Sequence, residues 1–256
     1  MNYARLPTEA VHAEAERLDG ATTRHIVRAM NKEDLRAVRA VGEAGDDIAA
    51  LADALVTTIR AGGRLYYVGA GTSGRLGALD AAEWPPTFGT EPSLAQAVIA
   101  GGPKALQGAV EEIEAKPAAG AAAVRKVTKK DLVIGITASG TTPFVMGALA
   151  EARRRGATTA LVTCNPRVRA KVDHRVTADT GAELVAGSTR LKAGTATKLI
   201  LNAVSTAAMI RLGRIQKGRM AYLKPLNPKL RARAARIARD LGRHRAMTGP
   251  VSGRTT

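Results

Sequence analysis

Three stretches of the sequence bring glycine, hydroxyl side chains and the start of a helix together: GAGTSGR (69–75), TASGTTP (137–143) and GSTRLKAGTATK (187–198). Backbone N–H groups at a helix start carry partial positive charge and have no partner inside the helix. Glycine lets that backbone approach an anion closely, and Ser or Thr adds further donors. Such loops suit a phosphate monoester, whose oxygens and charge call for many donors in one small nest. The residues that could supply them are Gly71, Thr72, Ser73 and Gly74, then Ser139, Gly140, Thr141 and Thr142, then Ser188, Thr189 and Lys192. Ser73, Ser139 and Thr142 could equally be plain helix N-caps, because capping and phosphate binding share one geometry. A carboxylate, Glu83, stands just ahead of the double proline Pro85-Pro86 and raises the question of what it does there.

GAGTSG also spells G-x-G-x-x-G behind a β-rich run, the outline of a dinucleotide site. The fuller fingerprint adds an acid at the end of the second strand, about 20 residues on, to grip the adenosine ribose. Here the second strand candidate runs into Gly101-Gly102-Pro103 with no acid. Thr72 and Ser73 also exceed what a backbone cradle for pyrophosphate needs. A phosphate monoester is the better fit.

The elements that must position these loops follow from periodicity. Strand candidates are Leu65–Val68, Leu94–Ile99, Leu132–Ile136 and Ala160–Thr163, with weaker ones at Arg175–Thr177 and Glu183–Val185. Helix-like segments lie between and after them at Arg75–Glu83, Pro103–Ala115, Pro143–Arg155 and Ala193–Leu212, the first expected to stop at the double proline. Upstream, Leu35, Val38, Val41, Ile48, Leu51, Leu55 and Ile59 fall near helical spacing, so Asp34–Ala61 reads as one or two helices closed by Gly62-Gly63. Alternating strands and helices indicate an α/β fold with a parallel sheet covered on both faces. Right-handed crossovers then gather the three loops at the carboxyl edge of that sheet. The chain divides into an N-terminal arm with helices (1–50), a central ligand-binding domain (51–215) and a basic helical tail (216–256).

At 256 residues the chain can bury an ample core, filled mostly by aliphatic side chains because aromatics make up only 3 %. That scarcity argues against stacking on single-stranded nucleic acid. The net charge of +17 is concentrated: from Arg211 onward thirteen Lys and Arg face one acid, Asp240. Such a tail could bind nucleic acid or an acidic lipid surface, but a solvated Arg/Ala helix accounts for it as well. Cys164 is the only cysteine, which excludes disulfide frameworks and cysteine metal clusters, and no histidine falls in the three loops. No metal or cofactor is expected. The polar N-terminus is unlike a signal peptide and no apolar run approaches membrane length, so a cytoplasmic protein is expected.

With these residues in view, the chain resembles the N-acetylmuramic acid 6-phosphate etherases, members of the sugar-isomerase (SIS) superfamily related to glucokinase regulatory protein. The resemblance rests on VGAGTSGRLGALDAAEWPPTFG (68–89), IAGGPKALQGAVEEIE (99–114), GITASGTTPFVMGAL (135–149), TCNP (163–166) and GSTRLKAGTATKLILNAVSTAAMI (187–210). It implies a three-layer, flavodoxin-like SIS domain and a homodimer with sugar-phosphate sites near the subunit interface. The implied reaction removes D-lactate from C3 of the 6-phosphorylated sugar and then adds water. Two glutamates carry it in the family: Glu83 matches the general acid and Glu114 the proposed base, with Glu111 in the same acidic run as the alternative. An acid and a base must hold their protons differently, which requires environments that separate their pKa values. Trp84 and the prolines could provide a desolvated setting for Glu83.

Three departures stand out. Thr141 occupies a position where the family usually has Arg, KGRMAYLKPLN (217–227) replaces a segment close to G-N-L-M-V-D, and the family's small C-terminal helical domain is not expected after Gly249–Thr256. Two rival readings remain: a non-catalytic sugar-phosphate sensor, and an SIS isomerase of sugar phosphates. A sensor needs the phosphate loops but no acid–base pair, and an isomerase would need its own base and has no reason to keep EWPPTFG.

Overall fold

Two strands carry alternating apolar residues with no polar side at all. Leu65, Tyr67, Leu132, Ile134 and Ile136 point into one hydrophobic cluster, while Tyr66, Val68 and Val133 point into another. A strand buried on both faces belongs in the middle of a sheet covered by two helical layers. The computed structural model, which describes residues 6–108, 111–225 and 227–242, has that architecture. Helices α1 (Thr23–Glu43) and α2 (Gly45–Arg60) lead into β1 (Leu65–Gly69), α3 (Gly71–Phe88) and β2 (Ala95–Ile99). Short helices α4 (Glu111–Glu114) and α5 (Pro117–Ala123) precede β3 (Leu132–Ile136), α6 (Pro143–Arg154), β4 (Thr158–Thr163) and β5 (His174–Thr177). The long α7 (Lys192–Arg211), a small hairpin of β6 (Ile215–Gln216) and β7 (Arg219–Met220), and α8 (Pro228–Asp240) follow.

The first five strands form one parallel sheet in the order β2-β1-β3-β4-β5. This is the flavodoxin-like order, in which the chain reverses direction across the sheet between β1 and β3, opening a crevice beyond their carboxyl ends. Gly69 and Ile136 pair across that switch point, so the loops after them lie side by side.

Several elements differ from their sequence expectations. The first helix begins at Thr23, capped by the Thr22 hydroxyl accepting from the His25 N–H, well before Asp34. Leu35 and Val38 lie outside the core and are exposed, whereas Ile48, Leu51, Leu55 and Ile59 are buried. Pro103–Ala115 is not one helix: a 3-10 turn spans Gly102–Leu106 and α4 is separate, with residues 109–110 outside the described residues. Glu183–Val185 forms no strand. Most consequentially, α3 does not stop at the double proline. Pro85 and Pro86 lie inside it, and it ends at Gly89, whose left-handed backbone (φ 65°) provides the C-cap. An interior proline removes the bond to the carbonyl four residues back, at a cost of about 3 kcal/mol. Something else must therefore hold that turn.

The altered segment packs against this end of α3. The Tyr222 carbonyl approaches within 2.3 Å of where a Gly89 Cβ would be, and Arg214 stacks 4.1 Å over the Tyr222 ring. Helix α8 is amphipathic, burying Ala234, Ile237 and Ala238 beside Leu223 while Lys229, Arg231, Arg236 and Arg239 stay exposed. Arg243, Arg245 and Arg254, the rest of the basic tail, lie outside the described residues. Among the described residues no helix is long and apolar enough to cross a membrane.

Candidate active site

The N-terminus of α3 lies at the switch point and carries no side-chain cap on Ala70. Gly71 has φ 50°, a conformation that brings the backbone round into the helix and that a side chain would strain. Gly74 is required by packing: a Cβ there would lie 2.6 Å from Ile99 Cγ1 and 2.9 Å from the Gly69 carbonyl. Thr72 and Ser73 are half-buried beside it. The Glu114 carboxylate reaches this point, its Oε1 3.4 Å from a Gly71 Cβ position. One sequence-predicted glutamate thus stands at the mouth of the Gly71–Gly74 nest.

The loop after β3 contributes a cluster of hydroxyls. Thr137 Oγ1 lies 2.7 Å from Thr142 Oγ1 and 3.3 Å from Ser139 Oγ, and Ser139 Oγ lies 3.1 Å from Thr141 Oγ1. Thr142 is the N-cap residue of α6, but its hydroxyl makes no capping bond. The plain-cap reading of Thr142 therefore fails, and its hydroxyl is directed into the cluster instead. Asn165 fixes the loop by donating from Nδ2 to the Ser139 carbonyl at 2.8 Å. Thr137 and Asn165 were outside the candidate set; TCNP was the available signal for the latter.

The third loop behaves differently. Glu183 accepts from the Lys192 and Ala193 N–H groups at 3.0 and 2.9 Å, so the N-terminus of α7 is already satisfied by a protein carboxylate. It is not a third anion-binding helix start. Lys192 is buried, its Nζ donating to Glu33 Oε2 and to the Ala182 carbonyl at 2.5 and 2.6 Å. Burial works to raise the Glu33 pKa, but Lys192, His12 and Arg36 outweigh it and hold the carboxyl below its ordinary value. Ser188 and Thr189 are half-buried, and Gly194 places this loop against Thr72, with a Cβ position 3.7 Å from Thr72 Cγ2. The third loop thus borders the nest at Gly194, with Lys192 turned inward to the protein.

Glu83 does not join this group within one chain. It lies twelve residues along α3 from Gly71, about 18 Å at the helical rise of 1.5 Å per residue. Its side chain is exposed, while Trp84 is buried in the core. Trp84 thus supplies no desolvated pocket for it here. Leu79, one turn earlier, is half exposed, and another face of α3 lines an apolar groove of about 750 Å³ through Ala78, Ala82 and Pro85, with Val98, Leu106 and Phe144 opposite.

Behind this turn sits a buried acid that the sequence reading passed over. Asp80 Oδ2 accepts from Tyr67 Oη at 2.8 Å and from Trp84 Nε1 at 3.0 Å, and Oδ1 accepts from Ser205 Oγ at 3.1 Å. Burial raises the Asp80 pKa, with the three donors pulling the other way; burial and Asp80 together push Tyr67 well above 10.

Residues 47–153 match the model of the glucokinase regulatory protein N-terminal SIS domain. The chain is 49% identical over 240 residues to an N-acetylmuramic acid 6-phosphate etherase of Nostoc sp., covering 92% of this chain and 78% of that one. The chain belongs to the N-acetylmuramic acid 6-phosphate etherase family. Another member, from Geobacillus thermodenitrificans, is 49% identical over 236 residues, covering 91% of this chain and 80% of that one. Phosphoheptose isomerases from Neisseria gonorrhoeae (TM-score 0.56, 19% identity, 73% of this chain and 99% of that) and Francisella tularensis (0.54, 15%, 74% and 100%) share the SIS fold.

Proposed function

We infer that the chain is a carbon–oxygen lyase that cleaves the D-lactyl ether of N-acetylmuramic acid 6-phosphate, giving N-acetylglucosamine 6-phosphate and D-lactate. Family membership at 49% identity over most of the chain carries this reading. The α3 nest and the hydroxyl cluster after β3 support it, since a 6-phosphate needs such donors. In the open-chain sugar the C1 carbonyl acidifies the C2 proton. Glu114 takes that proton, the C2=C3 bond forms, and the C3–O bond breaks as Glu83 protonates the departing lactate oxygen. Water then adds at C3 and C2 regains a proton, with the two carboxyls in exchanged roles.

Both glutamates must meet one sugar, and a single chain holds Glu114 beside the N-terminus of α3 and Glu83 twelve residues further along that helix. We propose that a second copy of the chain closes the site, one copy supplying the nest and Glu114, its partner supplying Glu83. The apolar groove along α3 supports this, as do the exposed Val27, Met30, Leu35 and Val38 on α1. A phosphate monoester does not cross a bilayer unaided, which favours the cytoplasm as the compartment. The experiment is direct: incubate the protein with N-acetylmuramic acid 6-phosphate and measure lactate and phosphorylated product. Release of both supports the lyase, whereas binding without release would favour a sensor.

A further inference from the structure

The turn of α3 that carries Glu83 has an inherent weakness. Pro85 and Pro86 cannot donate to the Ala81 and Ala82 carbonyls, and a proline also biases the residue before it away from helical geometry. Yet the helix continues for three residues past Pro85, to Phe88. Side chains take over where main-chain bonds are missing. Asp80, Trp84 and Phe88 lie at successive four-residue steps, on one face of α3. The Trp84 indole donates to Asp80 at 3.0 Å, and its ring packs edge-on against Phe88, centroids 6.1 Å apart at 84°.

The same carboxylate ties this spine to two other elements. Tyr67 reaches it from β1 and Ser205 from α7, and Asp80, Tyr67, Trp84 and Ser205 are all buried. Rotation of α3 about its axis would break bonds to the sheet and to a neighbouring helix at once. Glu83, next to Trp84 in sequence, therefore leaves the helix in a fixed direction, away from the core.

We propose that Asp80 is a positioning residue for Glu83, riveting the proline-interrupted turn of α3 so that the glutamate is held in one direction. The proposal rests on the reading of Glu83 as the acid of the lyase reaction. Trp84, the only tryptophan in the chain, reports on the rivet directly. Asp80→Ala should lower kcat about 10²-fold, the scale expected when a reacting group is displaced by about 1 Å. KM should stay within about twofold, because the phosphate nest lies at the other end of the helix. Trp84 emission should change, and amide exchange across 82–88 should quicken. Asp80→Asn should recover most of kcat, since its amide oxygen can still accept from Tyr67 and Trp84 and its nitrogen can donate to Ser205. Should Asp80→Ala fail to fold, Tyr67→Phe and Ser205→Ala each remove one donor and should lower kcat at unchanged KM. Wild-type kcat in Asp80→Ala, or a KM that rises in step with the loss of kcat, would overturn the proposal. If the wild-type protein releases no lactate, the lyase reading fails instead. The rivet is then decided by exchange alone, and unchanged exchange across 82–88 in Asp80→Ala would sink it.

Discussion

At its N-terminal end α3 presents Gly71–Gly74 to a cleft that the same chain furnishes with Glu114 and the Thr137–Thr142 hydroxyls. In its C-terminal half the same helix presents Glu83 to open surface. The contrast separates two jobs. In the proposed reaction, phosphate recognition is completed within one chain, because backbone donors and short hydroxyl side chains need only neighbouring loops. The proposed acid–base chemistry is not, because Glu114, on α4, stands by Gly71 while Glu83 lies about 18 Å further along α3. One helix can serve both only if another copy turns its far end toward the nest.

The largest expected effect breaks the two ends separately. Glu83→Ala and Glu114→Ala should each lower kcat about 10²–10⁴-fold with little change in thermal stability. Next comes Lys192. A lysine that touched substrate would cost affinity when removed, but a buried partner of Glu33 should cost stability. Lys192→Ala is expected to destabilise by about 3–5 kcal/mol, measured by denaturant unfolding, because Glu33 loses its closest cation. The pH dependence has a definite sign. The Glu33 pKa is depressed in the folded state, so its contribution is full above its ordinary value of 4.5 and is lost as pH falls through the lower folded value. Lys192→Ala should diminish that acid-side dependence.

Smaller effects sharpen the nest end. Gly74→Ala, which drives a Cβ against Ile99 and the Gly69 carbonyl, should cost about 1–3 kcal/mol and loosen phosphate binding as α3 shifts. Ser139→Ala, losing one hydroxyl of the cluster, should raise KM about fivefold at unchanged kcat, equivalent to about 1 kcal/mol.

Much of this was legible in the residues. The strands β1 to β5 and the nest after β1 declare themselves through apolar runs that end in glycine and hydroxyls. What escaped was set by tertiary contacts. The double proline reads as a helix stop because local propensity counts the lost N–H groups; it cannot count the Asp80–Trp84–Phe88 spine that compensates for them. Glu183 reads as part of a strand because its role, capping α7, depends on a helix start nine residues away. GSTRLKAGTATK resembles the two anion loops in composition, yet its helix N-terminus faces a carboxylate from its own chain. Leu35 and Val38 fit the helical period but find no core to enter, and their exposure is visible only once α1 is placed against α7.

The division of the site between two copies is tested most directly by mixing inactive variants. Glu83→Ala and Glu114→Ala proteins, combined in equal amounts and allowed to exchange subunits, should regain lactate release. Random pairing in a two-fold dimer restores about a quarter of wild-type sites, each joining an intact Glu114 from one copy to an intact Glu83 from the other. A mixture no more active than its two components, in samples shown to contain mixed dimers, would contradict the account.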